Sequence, residues 1–269
     1  MLFGKAKKKI ELFIKTFINM KNVAIFSLLI LLVGCKSPNL LVSPELKSNT
    51  SVYDVKGRQG WQFNQVIRYG DFFSSKVKRG WTTKLEIPFV VKFKTASEKL
   101  SFTQYTPDSL QADIYAVGKF ENNELPLLRG FLNYSLNYKN TFAGTIIPFD
   151  VTGNYWDFII YNMESRLSDD KICGSAKDSK GNEIIVKGVD RIEGQGGWMQ
   201  MEYIGFEFFL NGQSIGAVSC LNDGRVWMRD DLRPDIKLAV SSLSTALLVK
   251  HNLTDTHNES VIQIVNKSK

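Results

Sequence analysis

The stretch DIKLAVSSLSTALLVKHNL, residues 235–253, narrows the possible folds more than any other part of the chain. Pro234 suits a first helical turn, and Asp230, Asp231 and Asp235 put negative charge where a helix begins. Ile236, Ala239, Val240, Leu243, Ala246 and Leu247 share one stripe at helical spacing. Leu238, Leu248 and Val249 fall on the other side, and no charge occurs over residues 238–249. A helix that is apolar around most of its circumference wants burial on most of it. Its seven larger apolar side chains, at about 1.5 to 3 kcal/mol each, give on the order of 10 to 20 kcal/mol before entropy is subtracted. A β domain that wraps the helix meets that demand.

The rest of the chain reads as short strands divided by turn chemistry. Asn211-Gly212 separates YIGFEFFL from QSIGAVSCL, and both residues accept the positive φ of a tight hairpin turn. Asn222-Asp223-Gly224 leads into RVWM, and Ser179-Lys180-Gly181-Asn182 separates KICGSAK from EIIVKGV. Asn122-Asn123 separates DIYAVGKF from ELPLLRGFLNYSL, and WQFNQVIRY, KLEIPFVVKF, KLSFTQY, YWDFIIYN and WMQMEY are further strands. About eleven strands at this spacing predict a mainly β fold with one hydrophobic C-terminal helix. The expected form is an antiparallel barrel of eleven or twelve strands around the helix; an α+β fold or a β-sandwich with a packed helix is the alternative.

The order hairpin, VWM strand, short acidic link and hydrophobic helix, over residues 205–253, resembles the C-terminal end of tubby-like barrels. That fold is shared by tubby, LURP-one-related and phospholipid scramblase proteins. The resemblance implies about twelve antiparallel strands closed around the helix. It would also allow contact with membrane lipid. No residue here matches the phosphoinositide site of tubby, and the chain continues past the helix where the relatives end.

At the other end, VAIFSLLILLV, residues 23–33, is too short to cross a bilayer, which needs about 20 apolar residues. Lys21 before it and small residues after it give the form of a secretory signal. Leu32-Val33-Gly34-Cys35 resembles a bacterial lipobox, which implies cleavage between Gly34 and Cys35 and acylation of the Cys35 thiol. Met20 is the more natural start of such a signal, so residues 1–19 read as a mis-assigned start or a basic extension. The expected organisation is a signal peptide over 20–34, a lipidated cysteine and tether over 35–51, one β-rich domain over 52–253, and a polar tail over 254–269. Lys36, in place of aspartate, favours the outer membrane over the inner by resemblance to lipoprotein sorting.

This processing changes the charge. The whole chain carries +7, but without residues 1–34 it holds 28 basic and 26 acidic residues, a net charge of +2. Nucleic acid is therefore not an expected partner. Membrane contact through the N-terminal lipid is expected, and a protein of the envelope is a further candidate partner. With Cys35 acylated, Cys173 and Cys220 remain as a possible disulfide outside the cytoplasm.

A non-catalytic binding or structural module is the expected function. A hydrolase acting on glycan or lipid, and an accessory subunit of an envelope complex, are the alternatives. His251 and His257, at the helix end and in the tail, are the only histidines, which speaks against Ser-His or Cys-His catalysis. No Cys/His cluster has zinc spacing, so neither a metal nor a cofactor is expected. Asp169-Asp170 and Asp230-Asp231 fit a loop turn and a helix start better than acid/base pairs. Lys76, Lys78 and Arg79 beside Trp81 are candidates for an anionic-ligand patch, with a solvated strand face as the plainer reading. Phe72, Phe73, Tyr134 and Tyr138 are aromatics through which a complex could recruit the chain.

Overall fold

Asn211 and Gly212 both adopt positive φ, 52° and 78°, and close the expected hairpin between β11 (Gly205–Leu210) and β12 (Gln213–Ser219). In the computed structural model this hairpin belongs to one large antiparallel sheet. The structure describes residues 39–59, 63–80, 98–118, 141–149, 153–160, 171–194 and 203–267, with residues 251–267 as backbone only.

The chain enters the sheet with β1 (Thr50–Asp54), β2 (Arg68–Tyr69), β3 (Phe72–Ser74) and β4 (Lys78–Arg79). It continues through β5 (Glu98–Tyr105), β6 (Gln111–Gly118), β7 (Phe142–Pro148), β8 (Trp156–Ile160), β9 (Ile172–Asp178) and β10 (Glu183–Val189). After β11 and β12 comes β13 (Arg225–Arg229). Neighbours run in the order β1-β13-β12-β11-β10-β9-β8-β7-β6-β5-β3-β2, with β4 also paired to β5. The sheet nearly closes: Lys56, just past β1, exchanges backbone hydrogen bonds with Arg68 of β2 at 2.8 and 3.0 Å. The mainly β barrel with a C-terminal helix is thus the observed fold class.

Helix α1 (Pro234–Lys267) runs through the barrel. Ile236 and every residue from 238 to 249 are buried, packed with inward side chains such as Ile114, Phe158, Val186, Phe208 and Val226. Residues 234–250 cover about 25 Å at 1.5 Å per residue, close to the roughly 26 Å of the eight-residue β6. Gly216 of β12 permits the helix to approach, since a Cβ there would lie 3.0 Å from Val240 Cγ1. Ser241 and Thr245 tie the helix to the wall, whereas the buried hydroxyls of Ser242 and Ser244 have no hydrogen-bond partner among the described residues. Tyr69 Oη donates to the Ser241 carbonyl at 2.8 Å, and the Thr245 hydroxyl donates to Gln104 Oε1 at 2.8 Å.

Three expectations need correction. Residues 39–51 are not a loose tether: Leu40, Val42 and Leu46 are buried against Val189, Ile204, Ala217 and Trp227 on the outer face of the barrel. The packed domain therefore starts near residue 39 and not near 52. The helix does not stop near 253 but continues to Lys267. Finally, β1, β3 and β7 were not among the expected strands, and of WQFNQVIRY only Arg68 and Tyr69 are strand among the described residues. KLEIPFVVKF, ELPLLRGFLNYSL, the Asn122-Asn123 turn and most of WMQMEY lie outside the described residues.

Candidate functional site

The two ends of the barrel differ. At the end where α1 begins, strands are joined by brief connections such as Asn211-Gly212 and the turn over residues 179–182. The end where residue 250 leaves the barrel carries the last residues of β6, β8 and β10 and the first of β7, β9 and β11. One buried and two half-buried cations, Arg58, Arg79 and Lys250, collect at this exit end, and each is placed by a different part of the chain.

Arg58 follows the closing bridge between Lys56 and Arg68. It is 3 % exposed and donates through Nε to the Leu248 carbonyl at 3.2 Å and through Nη1 to the Cys220 carbonyl at 2.9 Å and to that of Asn222. Gln65 Nε2 donates to the Arg58 carbonyl at 2.8 Å, and Gln65 Oε1 accepts from Arg79 Nη2 at 3.1 Å. Arg79 Nη2 also reaches the Val249 carbonyl at 3.5 Å. Two guanidiniums therefore meet helix carbonyls where the chain emerges from the barrel, as charge-assisted hydrogen bonds. Arg79 retains two buried donors, Nε and Nη1, with no hydrogen-bond partner among the described residues. An edge of this kind suits a carboxylate or phosphate oxygen.

Lys250 lies beside them, with Nζ 5.5 Å from the centre of the Phe142 ring. Burial lowers its proton affinity, opposed by the fields of Cys173, Cys220 and Glu98. Burial likewise lowers that of Arg79, with Glu98 opposing. The Cys173 thiol is pushed well up by burial despite the nearby lysine, and its Sγ donates to the Val186 carbonyl at 3.6 Å. Burial, with Cys173 and Asp190 adding to it, raises Tyr203 to about 12. The arrangement holds charge in a partly dry site, and burial keeps the Cys173 thiol protonated.

The expected site residues divide accordingly. Alternation within β4 separates Lys78 from Arg79: Lys78 is exposed, as is Lys76 just before the strand, whereas Arg79 turns inward to Gln65 and the helix. They do not form one patch, and Trp81 lies outside the described residues. Cys173 and Cys220 are both buried thiols with no disulfide between them. Cys35 and Gly34 lie outside the described residues, as do Asp169, Asp170, Tyr134, Tyr138 and the side chains of His251 and His257. Asp231 is held by Arg229 and Asp230 by the Ser51 hydroxyl at 2.6 Å, which is a helix-entry role. Phe72 is buried, and Phe73 stacks on Tyr105 with ring centres 4.6 Å apart. Among the described residues no group of three or more His, Cys, Asp or Glu is placed to hold a metal ion.

Arg58, Gln65 and Lys250 were not foreseen as site residues. Arg58 and Gln65 carry no local signal, because Arg58 meets its partners 162 to 190 positions away in sequence. Lys250 was the more legible, as the first charge after the apolar run.

Comparison with known proteins gives no match for this chain, whether to a family model, a curated protein or a solved structure.

Proposed function

We propose that this chain is a lipid-anchored lipoprotein of the bacterial envelope, attached through Cys35 to the outer membrane, and that its barrel is a non-catalytic binding or structural module. The observation that carries this reading is the position of Asn39. Glu193 N donates to the Asn39 carbonyl at 2.9 Å, and the side chain of Asn39 is held by Glu193 and Arg225. The packed domain thus begins three residues after Lys36, next to the point where a lipobox would place the mature N-terminus. We also propose kinship with the tubby-like barrels, supported by twelve consecutive antiparallel strands with a hydrophobic helix last in the chain. Of the three cations singled out, Arg79 is the one that retains buried donors for an anionic group.

A second reading, an accessory subunit of an envelope complex, is favoured by Phe149 and Tyr155. Both are exposed at the end of the barrel opposite Arg58, where they are available to a protein partner.

Fractionation tests the main reading. The wild-type chain should sediment with outer-membrane vesicles and resist extraction by high salt, whereas Cys35→Ala should appear in the soluble fraction. A wild-type chain found soluble, or a C35A chain still bound to membranes, would contradict it.

A further inference from the structure

We infer that the exit end of the barrel, with Phe63 at its rim, is docked on the surface of the membrane that holds the anchor. The inference rests on the lipid-anchor reading above and adds an orientation to it. Only Lys36, Ser37 and Pro38 separate Cys35 from Asn39, so a fully extended leash reaches about 14 Å.

Asn39 is fixed at the exit end. Its partners Glu193 and Arg225 follow β10 and open β13, and Leu40 bridges to Ile192. From there the chain runs away along the outer wall, past Glu207 to Ser214 at the start of β12, where Glu45 Oε1 accepts from the Ser214 N–H at 3.1 Å. The leash is about half the length of the barrel wall, so the end bearing Asn39 is held near the bilayer.

The surface there has the chemistry of a lipid contact. Phe63 is 85 % exposed, more than any other large hydrophobic residue described. It lies in the loop between the closing bridge and β2, two positions from Gln65 of the Arg58 network. Lys56, Lys78 and Arg191 are exposed at the same end. Of the carboxylates facing them, Asp54 is paired with Arg225, Glu193 with Lys47, and Asp190 with both Lys171 and, at 3.7 Å, Arg191, so Lys56 and Lys78 are the exposed cations without an ion pair in this set, facing an exposed Asp223 and a partly buried Glu98. An aromatic wedge among cations fits the interfacial region of a bilayer with anionic headgroups. No helix among the described residues is long and apolar enough to cross a membrane.

The test uses the lipidated full chain in vesicles containing phosphatidylglycerol and a headgroup-nitroxide lipid. A thiol-reactive dye is placed at F63C, V52C or Y155C in turn. Cys173 and Cys220 are buried and Cys35 is consumed by acylation, so labelling is directed to the new thiol. Quenching is expected to be several-fold stronger for F63C than for Y155C, with V52C between them. A long Gly-Ser insertion between Ser37 and Pro38 should reduce that contrast. Equal quenching at all three positions, or stronger quenching at V52C or Y155C, would overturn the orientation while leaving acylation intact. Absence of an acyl group on Cys35 would overturn the anchor reading itself.

Discussion

The backbone N–H of Ser43 donates to Glu207 Oε1 at 3.2 Å, joining positions 164 residues apart. The hydroxyls of Ser43 and Ser214 donate to the same carboxylate oxygen. Glu207 is 6 % exposed, so these donors are what keeps a charge tolerable on an otherwise apolar outer wall. They also fasten residues 39–47 beside Trp227 and Ala217.

Glu207→Ala should therefore loosen the N-terminal segment ahead of the barrel. The loss expected is about 2 to 4 kcal/mol, given charge-assisted bonds at roughly 1.5 to 3 kcal/mol each and partial recovery by water. Urea denaturation measures the total. Hydrogen exchange should show the Leu41 and Leu46 amides opening first, and unchanged protection of both would contradict the role.

Leu243 is 1 % exposed in the middle of the helix. Leu243→Ala should cost about 2 to 5 kcal/mol through a cavity enclosed on all sides by the barrel. Leu243→Asp should leave little folded protein. A helix merely resting on the sheet would tolerate both, so thermal denaturation separates the two packings.

Tyr69 ties the wall to the helix. Its hydroxyl donates to the Ser241 carbonyl and lies 3.1 Å from Thr245 Oγ1. Burial drives its ionisation far above the usual range despite those two partners. Tyr69→Phe removes the donor and should destabilise by about 1 to 3 kcal/mol, because a buried carbonyl loses a partner. A chemical-denaturation midpoint equal to that of the wild type would contradict the bond.

Asp178 gives a pH dependence. Burial pushes its carboxyl up, but hydrogen bonds from Asn182, at 2.6 and 2.7 Å, and from Asn154 and Lys180 outweigh this and hold it below the ordinary carboxylate value. A lowered native value means that the folded state releases this proton more readily than the unfolded one. The stabilisation is present above about pH 4, the ordinary aspartate value, and is lost as pH falls through the native value. The stability gap between wild type and Asp178→Asn, measured in urea, should accordingly shrink from pH 7 to pH 3. A constant gap would contradict the assignment.

The sequence disclosed these features unevenly. The helix was legible because twelve positions without charge, residues 238–249, leave burial as the only solution. The Asn211-Gly212 hairpin was legible because few residue pairs accept two positive φ angles. By contrast, β7 was missed because the outward Ala143 and Thr145 are as buried as the inward Phe142 and Ile146, so the alternation that marks a half-exposed strand is absent. The segment after Cys35 looked like a tether because it holds two prolines and several small polar residues. Its signal was the apolar spacing of Leu40, Val42 and Leu46, which has meaning only once Trp227 is known to face outward. Lys76, Lys78 and Arg79 were read as neighbours in sequence, while the two-residue period of β4 sends Arg79 inward and Lys78 out.

The claim on which the functional account depends is that Cys35 carries lipid. Growing a bacterial host expressing the full chain with an alkyne-tagged fatty acid, then purifying the protein and determining its N-terminal mass, tests this directly. The account predicts a labelled chain that begins at Cys35 and loses its label in Cys35→Ala. An unlabelled chain, a mature N-terminus elsewhere, or equal labelling of the C35A variant would contradict it.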